Sequence, residues 1–119
     1  MNIGEWPLRK IFATAYPKIM KHDDLKRMQQ LLLQIPRGQV TTYKELARAM
    51  GTKGYRYIGQ LLHQNPEPDR YPCFKVVRSD GTLGGYAGGQ VKKMRRLRTE
   101  GIKILDGTIV DFESIIYHY

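Results

Sequence analysis

The sequence is poor in the residues that build covalently cross-linked or metal-stabilised folds. Its 119 residues include one cysteine, Cys73, and three histidines, which are His22, His63 and His118. A single cysteine permits no internal disulfide, and histidines so far apart show no spacing typical of a metal site. We therefore expect a reducing environment, with neither a metal nor another cofactor.

Long apolar runs and acidic residues are also scarce. No uninterrupted stretch approaches the roughly 20 residues that cross a bilayer, and the first residues lack the apolar core of a signal peptide. The chain has 11 acidic residues against 20 lysines and arginines, a net charge of +9. This balance favours a polyanionic partner, with nucleic acid as the leading candidate. We expect an intracellular protein, in the cytoplasm or with the chromosome in a nucleoid or nucleus.

Helical periodicity begins clearly at Asp23. Asp23 or Asp24 can cap a helix that Pro36 and Gly38 end. Its apolar positions recur at spacings of three and four: Leu25, Met28, Leu31, Leu32 and Ile35. A hydrophobic content of 41% allows a modest core. We expect an arm or short helix over 1–22 and a single domain over 23–119.

Two shorter helices are predicted next. Thr42 and Glu45 match a capping box at the start of the first helix, and a glycine turn separates the two. Apolar residues expected to face inward are Leu46, Ala47, Met50, Ile58, Leu61 and Leu62. Lys53 and Arg56 lie at the start of the second helix, where phosphate is attracted. The pair indicates a helix-turn-helix, with ordinary helical packing as the alternative.

The second half of the chain predicts a loop, a basic helix and a hairpin. Residues 84–89 are rich in glycine, which suits either a flexible link or the wall of a pocket. The helix over 91–98 carries five cations, with Val91, Met94 and Leu97 on its apolar side. Residues 102–110 predict a hairpin, and the tail that follows is expected to pack back on the body.

Cys73 follows a proline and opens a strand-like apolar run that ends at Val77. The proline positions the cysteine backbone in advance. A lone cysteine is commonly a small buried hydrophobe, and a nucleophile needs a base, a cation or a helix N-terminus nearby. On a strand, Lys75 would share a face with Cys73, although its stem could carry the ammonium out to solvent. Locally, both interpretations stay open.

A series of short segments runs from Ile35 to Gly101 in a fixed order. They are Ile35-Pro36-Arg37-Gly38, Val40, Thr42-Tyr43, Leu46-Ala47, Arg56, Gly59, Asn65-Pro66, Pro72-Cys73, Val76-Val77, Gly81, Gly85-Tyr86, Gly88-Gly89, Lys93 and Glu100-Gly101. Their order and spacing resemble the C-terminal domain of the O6-alkylguanine-DNA alkyltransferases, which take an alkyl group from damaged guanine onto their own cysteine. Full-length members usually carry a larger N-terminal domain.

The resemblance implies an α/β fold: a winged helix-turn-helix DNA-binding domain with a short sheet or hairpin that carries the reactive cysteine. It also implies that a damaged base is rotated out of the duplex into a pocket. By the same resemblance Cys73 accepts the alkyl group, Arg56 enters the space left by the guanine, and Tyr43 lies by the target phosphate and the base edge. Tyr43 and Glu100 would support the reaction.

Further site residues follow from the same likeness. Asn65 would brace the link between the recognition helix and the cysteine, and Val76, Tyr86 and Ala87 would hold the guanine edge. Additional DNA contacts are predicted at Thr42, Lys53, Asn65, Lys75, Lys92 and Lys93. The partner is expected to be double-stranded DNA, preferably containing O6-alkylguanine, bound by a monomer. Other repair factors or a fused domain are possible associates.

The sequence departs from the family pattern directly after the cysteine. The family has histidine and arginine there, and this chain has Phe74 and Lys75. In the family the histidine joins the cysteine, through water, to the glutamate at the Glu100 position, and Phe74 cannot do so. Three functions stay open: a single-turnover alkyltransferase, a non-catalytic alkyltransferase-like protein that flips and holds the lesion for other factors, and a winged helix-turn-helix protein without lesion recognition.

Overall fold

The computed structural model describes residues 22–52, 54–86 and 88–119. The arm expected over 1–22 falls, except for His22, outside the described residues, as do Lys53 and Ala87. The helices are α1 (His22–Leu33), α2 (Tyr43–Ala49), α3 (Tyr55–His63), α4 (Gln90–Thr99) and α5 (Phe112–Ile115). The strands are β1 (Thr41–Thr42), β2 (Val76–Val77), β3 (Ile104–Leu105) and β4 (Thr108–Ile109).

The described strands form two small sheets. Strands β1 and β2 pair in parallel, with Thr41 opposite Val76. Strands β3 and β4 form the antiparallel hairpin that the sequence predicted, and both turn residues, Asp106 and Gly107, have positive φ values of 52° and 75°. Positive φ at both positions is typical of a tight hairpin turn. Together with the helices, these sheets give the α/β content that was expected.

The helix-turn-helix consists of α2 and α3. The side chain of Thr42 accepts a hydrogen bond of 3.0 Å from the backbone N–H of Glu45 and thereby caps α2. Glu45 does not complete a capping box, because its carboxylate binds Arg48 at 2.5 Å and His118 at 3.3 Å. All six apolar residues predicted to face inward on the two helices are buried.

Two clusters of buried side chains meet at the cysteine. One fills the space between α1, α2 and α3, and the other joins β2, α4 and the β3–β4 hairpin. Cys73 belongs to the first cluster and Phe74 to the second. The segment Cys73–Lys75, called here the Cys73 turn, therefore lies at the junction of the two halves of the core. None of the helices in the described ranges has the length and apolar character that a bilayer crossing requires.

The C-terminal tail packs on the body, as expected. The backbone N–H of Tyr117 donates to the carbonyl of Val40 at 2.6 Å, and Val40 donates to the carbonyl of Ile115 at 2.9 Å. The hydroxyl of Tyr119 donates to the carbonyl of Leu31 at 2.7 Å. Burial raises the pKa of Tyr119 above its ordinary value. The tail thus fastens β1 and α1 to the rest of the core.

Three further local predictions were wrong. Cys73 does not open a strand: the Cys73 turn is a 3-10 turn, and only Val76 and Val77 are extended. The cysteine therefore precedes a strand of the parallel pair and is not carried by the hairpin. Asp23 and Asp24 lie inside the first turn of α1 and do not cap it. Val91 is 65% exposed, because α4 turns Lys93 and Leu97 toward the core instead.

Candidate functional site

The sulfur-bearing side chain of Cys73 lines a cavity of about 240 Å³. The wall comes from α2, α3, the Cys73 turn and the glycine-rich loop: Tyr43, Gly59, Leu62, His63, Cys73, Gly85 and Tyr86. Cys73 is a free cysteine and is 8% exposed. The structure thus brings together Cys73, Tyr43 and Tyr86, which the sequence analysis selected from three distant segments.

A second, wider groove of about 500 Å³ lies beside this cavity. Tyr43, Gly59 and Gly85 line both spaces. The remaining groove residues are Lys44, Tyr55, Arg56, Arg78 and Ser79. Three of these are cations, and Lys44, Arg56 and Arg78 are all exposed. The cavity that contains the cysteine therefore borders a basic groove along the helix-turn-helix.

The link from α3 to the Cys73 turn is fixed by Asn65. Its side-chain amide donates to the carbonyl of Tyr71 at 2.8 Å, and its side-chain oxygen accepts from the backbone N–H of Glu67 at 3.1 Å. Pro72 then has φ −76°, and the N–H of Cys73 donates to the carbonyl of Tyr71 at 2.7 Å. These contacts hold the cysteine backbone in a rigid bend.

Tyr43 crosses the cavity close to the glycine-rich loop. Its hydroxyl lies 3.5 Å from the carbonyl oxygen of Gly85. A Cβ added at Gly84 would lie 3.1 Å from that hydroxyl, and the φ of Gly84 is +72°, so both space and backbone require glycine there. Burial raises the pKa of Tyr43, and the nearby Arg78 opposes this shift in part. Tyr43 therefore keeps its proton at neutral pH and can donate a hydrogen bond.

Lys75 is buried, and the prediction that it contacts DNA is wrong. Only 2% of the residue is exposed, and its ammonium lies 2.8 Å from the carboxylate of Glu100. The same ammonium donates to the carbonyl of Pro36 at 2.7 Å, and Glu100 accepts from the N–H of Gly38 at 2.9 Å. The pair joins the Cys73 turn, the end of α4 and the loop before β1. The carboxylate of Glu100 is thus bound to Lys75 and to the N–H of Gly38, whereas a contact that supports catalysis was expected.

Phe74 occupies the position at which the family pattern has histidine. Its ring is buried at 4% exposure, and the guanidinium of Arg96 lies 4.6 Å from the ring centroid. Arg96 also binds Asp69 at 2.9 Å and donates to the hydroxyl of Tyr86 at 3.3 Å. A cation over an aromatic face is stabilising. Phe74 therefore packs α4 against the Cys73 turn and offers no group that could accept a proton.

Lys93 is the second lysine whose predicted DNA contact is wrong. It is 1% exposed, and its ammonium donates to the carbonyls of Val76, Leu83 and Gly85 at 2.7, 2.5 and 3.0 Å. The ammonium also lies 5.9 Å from the ring centroid of Tyr43. Val76 was expected to help hold the guanine edge, and its carbonyl accepts one of these hydrogen bonds.

Thr42 and Asn65 are likewise poor candidates for DNA contact. Thr42 is 4% exposed with its hydroxyl at the start of α2, and both functional groups of Asn65 bind the backbone. Arg56 and Lys92 are exposed, in keeping with their predicted roles. Lys53 and Ala87, the other two predicted site residues, lie outside the described residues.

Comparison with known proteins identifies the family. The model of the 6-O-methylguanine DNA methyltransferase DNA-binding domain matches residues 25–102, well over half of the chain. The chain belongs to this family. It is 49% identical to a bifunctional methyltransferase/endonuclease of Picrophilus torridus over 83 residues, which are 69% of this chain and 28% of that protein. The chain thus spans less than a third of that relative's length.

Solved structures of the methyltransferase family share the fold. Schizosaccharomyces pombe Atl1, in complex with damaged DNA containing O6-carboxymethylguanine, matches with a TM-score of 0.73 and 24% identity, over 85% of this chain and all of that one. The Mycobacterium tuberculosis OGT, in complex with DNA, matches with a TM-score of 0.64 and 34% identity, over 69% of this chain and 51% of that one. The α/β winged helix-turn-helix fold is thereby confirmed.

Several residues that line the cavity and the groove were missed from the sequence. Arg78 and Lys44 line the groove, and His63 lines the cavity. Arg78 directly follows Val77, which belongs to the family pattern, and Lys44 directly follows Tyr43, which was selected as a site residue. His63 was noted only as a scattered histidine. Its position on α3, four residues after Gly59 on the same helix face, was the available signal.

Proposed function

We propose that this chain is a DNA repair protein that accepts an O6-alkylguanine base, extruded from duplex DNA, into the Cys73 cavity and transfers the alkyl group to Cys73. The observation that carries the proposal is the position of Cys73 and Tyr43 in one cavity bordered by the basic groove of the helix-turn-helix. A base within a duplex cannot reach a buried sulfur, so the reaction requires base flipping. The groove supplies the cations for the phosphate backbone.

The reaction needs no metal and no cofactor. The sulfur of Cys73 attacks the alkyl carbon, an S–C bond forms, and the bond from that carbon to O6 of guanine breaks. The electron pair stays on the guanine, which takes up a proton, so the thiol proton is in effect exchanged for the alkyl group. Tyr43, which is protonated at neutral pH, is placed to donate a hydrogen bond to the base as charge develops on it.

The proposal includes a single turnover per molecule. A thioether is a poor leaving group, and the chain has no second cysteine to remove the alkyl group. The Picrophilus relative combines methyltransferase and endonuclease in its name, and this chain matches less than a third of that protein. An association with another repair factor or a fused domain therefore belongs to the proposal.

The proposed function is tested by counting repaired lesions against protein. Duplex DNA with O6-methylguanine is mixed with the chain in varied ratios, digested, and analysed for the remaining lesion. We expect the number of repaired lesions to reach a limit at one per protein molecule. Lesions that all persist, while the protein still prefers this DNA to undamaged duplex, would support a non-catalytic lesion-binding protein instead.

Duplex binding is expected to weaken steeply with salt. The groove and the adjacent α4 present four exposed cations to a backbone: Lys44, Arg56, Arg78 and Lys92. Four phosphate contacts predict a loss of affinity of about 100-fold between roughly 50 and 200 mM salt. Fluorescence anisotropy with labelled duplex measures it. Arg78→Ala should reduce the slope of log affinity against log salt concentration by about one. Lys103→Ala, at an exposed position directly before β3, should leave that slope unchanged. Equal slopes for the wild type and both variants would contradict the assignment of Arg78 to a phosphate contact.

Base extrusion is expected to depend on Arg56. The side chain lies at the start of α3 in the groove next to the cavity. Without it nothing fills the gap left in the base stack, so Arg56→Ala should lower the fluorescence of a base analogue that reports extrusion by several-fold at saturating protein. Lys44→Ala is the matched control, because it removes a cation from the same groove and should reduce affinity only. If both variants give the wild-type signal at saturation, Arg56 acts only as a phosphate contact.

A further inference from the structure

Tyr55 is the only tyrosine in the described part of the chain that is exposed. The others are buried or half-buried: Tyr43, Tyr57, Tyr71, Tyr86, Tyr117 and Tyr119. Tyr55 is 54% exposed. Its hydroxyl and its ring have no hydrogen-bond or ring partner among residues 22–52, 54–86 and 88–119. The packing of these residues therefore does not account for this aromatic ring.

Tyr55 begins α3 beside Arg56, in the basic groove next to the cavity. The lining of this groove includes aromatic rings and cations: Tyr43, Tyr55, Lys44, Arg56 and Arg78. Single exposed aromatic residues are common on protein surfaces, but aromatic rings among cations are typical of surfaces that bind unstacked nucleic-acid bases. The cations attract phosphates, and a ring offers a flat face to a base that has lost its stacking neighbour. Extrusion of a guanine into the cavity creates such bases next to the groove.

The first turn of α3 holds the backbone of Tyr55 in place. The carbonyl of Gly54 accepts a hydrogen bond of 3.0 Å from the N–H of Ile58. The hydroxyl of Tyr57 donates to the carboxylate of Asp24 and so fastens this turn to α1. A tyrosine has only two side-chain torsions, so a ring on a fixed backbone loses little conformational freedom when it stacks. Tyr55 is therefore preorganised for such a contact.

We propose that Tyr55 stacks on a nucleobase that base extrusion leaves without a neighbour, beside the space that Arg56 fills. The inference deepens the proposed function and rests on it for the extruded guanine. Two bases meet the description: the base that was paired with the lesion, and the base that flanks the lesion in the same strand. Their shared chemistry is an exposed π face, which every base has. Tyr55 thus adds affinity for opened DNA and little sequence preference.

The experiment measures binding to a duplex that has an abasic site in place of the damaged guanine. The base to be extruded is already missing, so binding requires neither flipping nor alkyl transfer, and failure of the proposed function is observed separately. Tyr55→Ala should lower the affinity for this duplex about tenfold, and the affinity for a fully paired duplex by less than about twofold. Alanine favours the helix at this exposed position, so the fold is retained. Fluorescence anisotropy with labelled DNA measures both affinities.

Further variants separate stacking from a phosphate contact. Tyr55→Ala removes no charge, so its loss of affinity should be the same at every salt concentration. Lys44→Ala, from the same groove, is the matched control: it should reduce the slope of log affinity against log salt concentration by about one and weaken binding to both duplexes equally. Tyr55→Phe keeps the ring and should bind within about twofold of the wild type. Tyr55→Leu keeps an apolar side chain without a π face and should stay within about threefold of Tyr55→Ala.

Three results would overturn the inference: wild-type affinity in Tyr55→Ala, an equal loss on the abasic and the paired duplex, or a Tyr55→Phe variant as weak as Tyr55→Ala, which would assign the effect to the hydroxyl. A third duplex, which also lacks the base opposite the abasic site, identifies the stacked base. If Tyr55→Ala binds this duplex as the wild type does, the ring stacks on the opposite base. If the tenfold difference persists, the ring stacks on the flanking base of the lesion strand.

Discussion

Replacing Cys73 by alanine is expected to abolish alkyl transfer completely while leaving lesion binding within about twofold of the wild type. In the proposed reaction the sulfur is the acceptor atom, and the variant has no other thiol. The side chain is small and 8% exposed, so its loss leaves the shape of the cavity largely intact. Loss of the lesion from O6-methylguanine duplex measures transfer, and anisotropy measures binding.

Cys73→Ser is the matched control for this effect. It keeps a polar atom of similar position, but a serine hydroxyl without a base is a weak nucleophile, so transfer should again be absent. Repair by either variant at the wild-type rate would show that another residue accepts the alkyl group. Loss of binding in both variants would mean that Cys73 serves to hold the fold.

Lys75→Met is expected to lower the free energy of unfolding by about 3–5 kcal/mol. The ammonium is buried between Glu100 and the Pro36 carbonyl, so its removal leaves a half-buried carboxylate and a carbonyl without their partner. Chemical denaturation followed by circular dichroism measures the change. Lys92→Met, at an exposed position of α4, should change it by less than about 0.5 kcal/mol.

A double variant tests whether the Lys75–Glu100 pair is responsible. Lys75→Met combined with Glu100→Met removes both charges, so it should cost less than the sum of the two single variants. Additive effects, or a loss below about 1 kcal/mol in Lys75→Met, would indicate that the ion pair contributes little. Such a result would reopen the possibility that Glu100 is available to the site.

The long elements of the fold were predictable because their signals are periodic and local. Helices α1 to α3 follow from apolar spacing and from the Thr42 cap, and the hairpin follows from the Asp106-Gly107 turn. The Cys73 turn was not predictable, because a three-residue 3-10 segment and a two-residue strand are too short to show a periodic pattern. The apolar run after Pro72 looked like one strand for that reason.

The two buried lysines show where sequence reasoning about the site fails. Lys75 and Lys93 were assigned to DNA because lysine is ordinarily solvated and the chain is basic. Their burial depends on Glu100 and on clusters of backbone carbonyls that only the tertiary structure assembles. Cys73, Tyr43 and Tyr86, in contrast, were correctly grouped, because the family pattern carries their spatial relation across distant segments.

The mass of the intact protein after prolonged incubation with excess O6-methylguanine duplex tests the central claim most directly. We predict that the wild type gains the mass of one methyl group, that peptide analysis places it on Cys73, and that no second methyl follows. An unchanged mass in a protein that still binds the lesion, or a methyl group on another residue, would contradict the account.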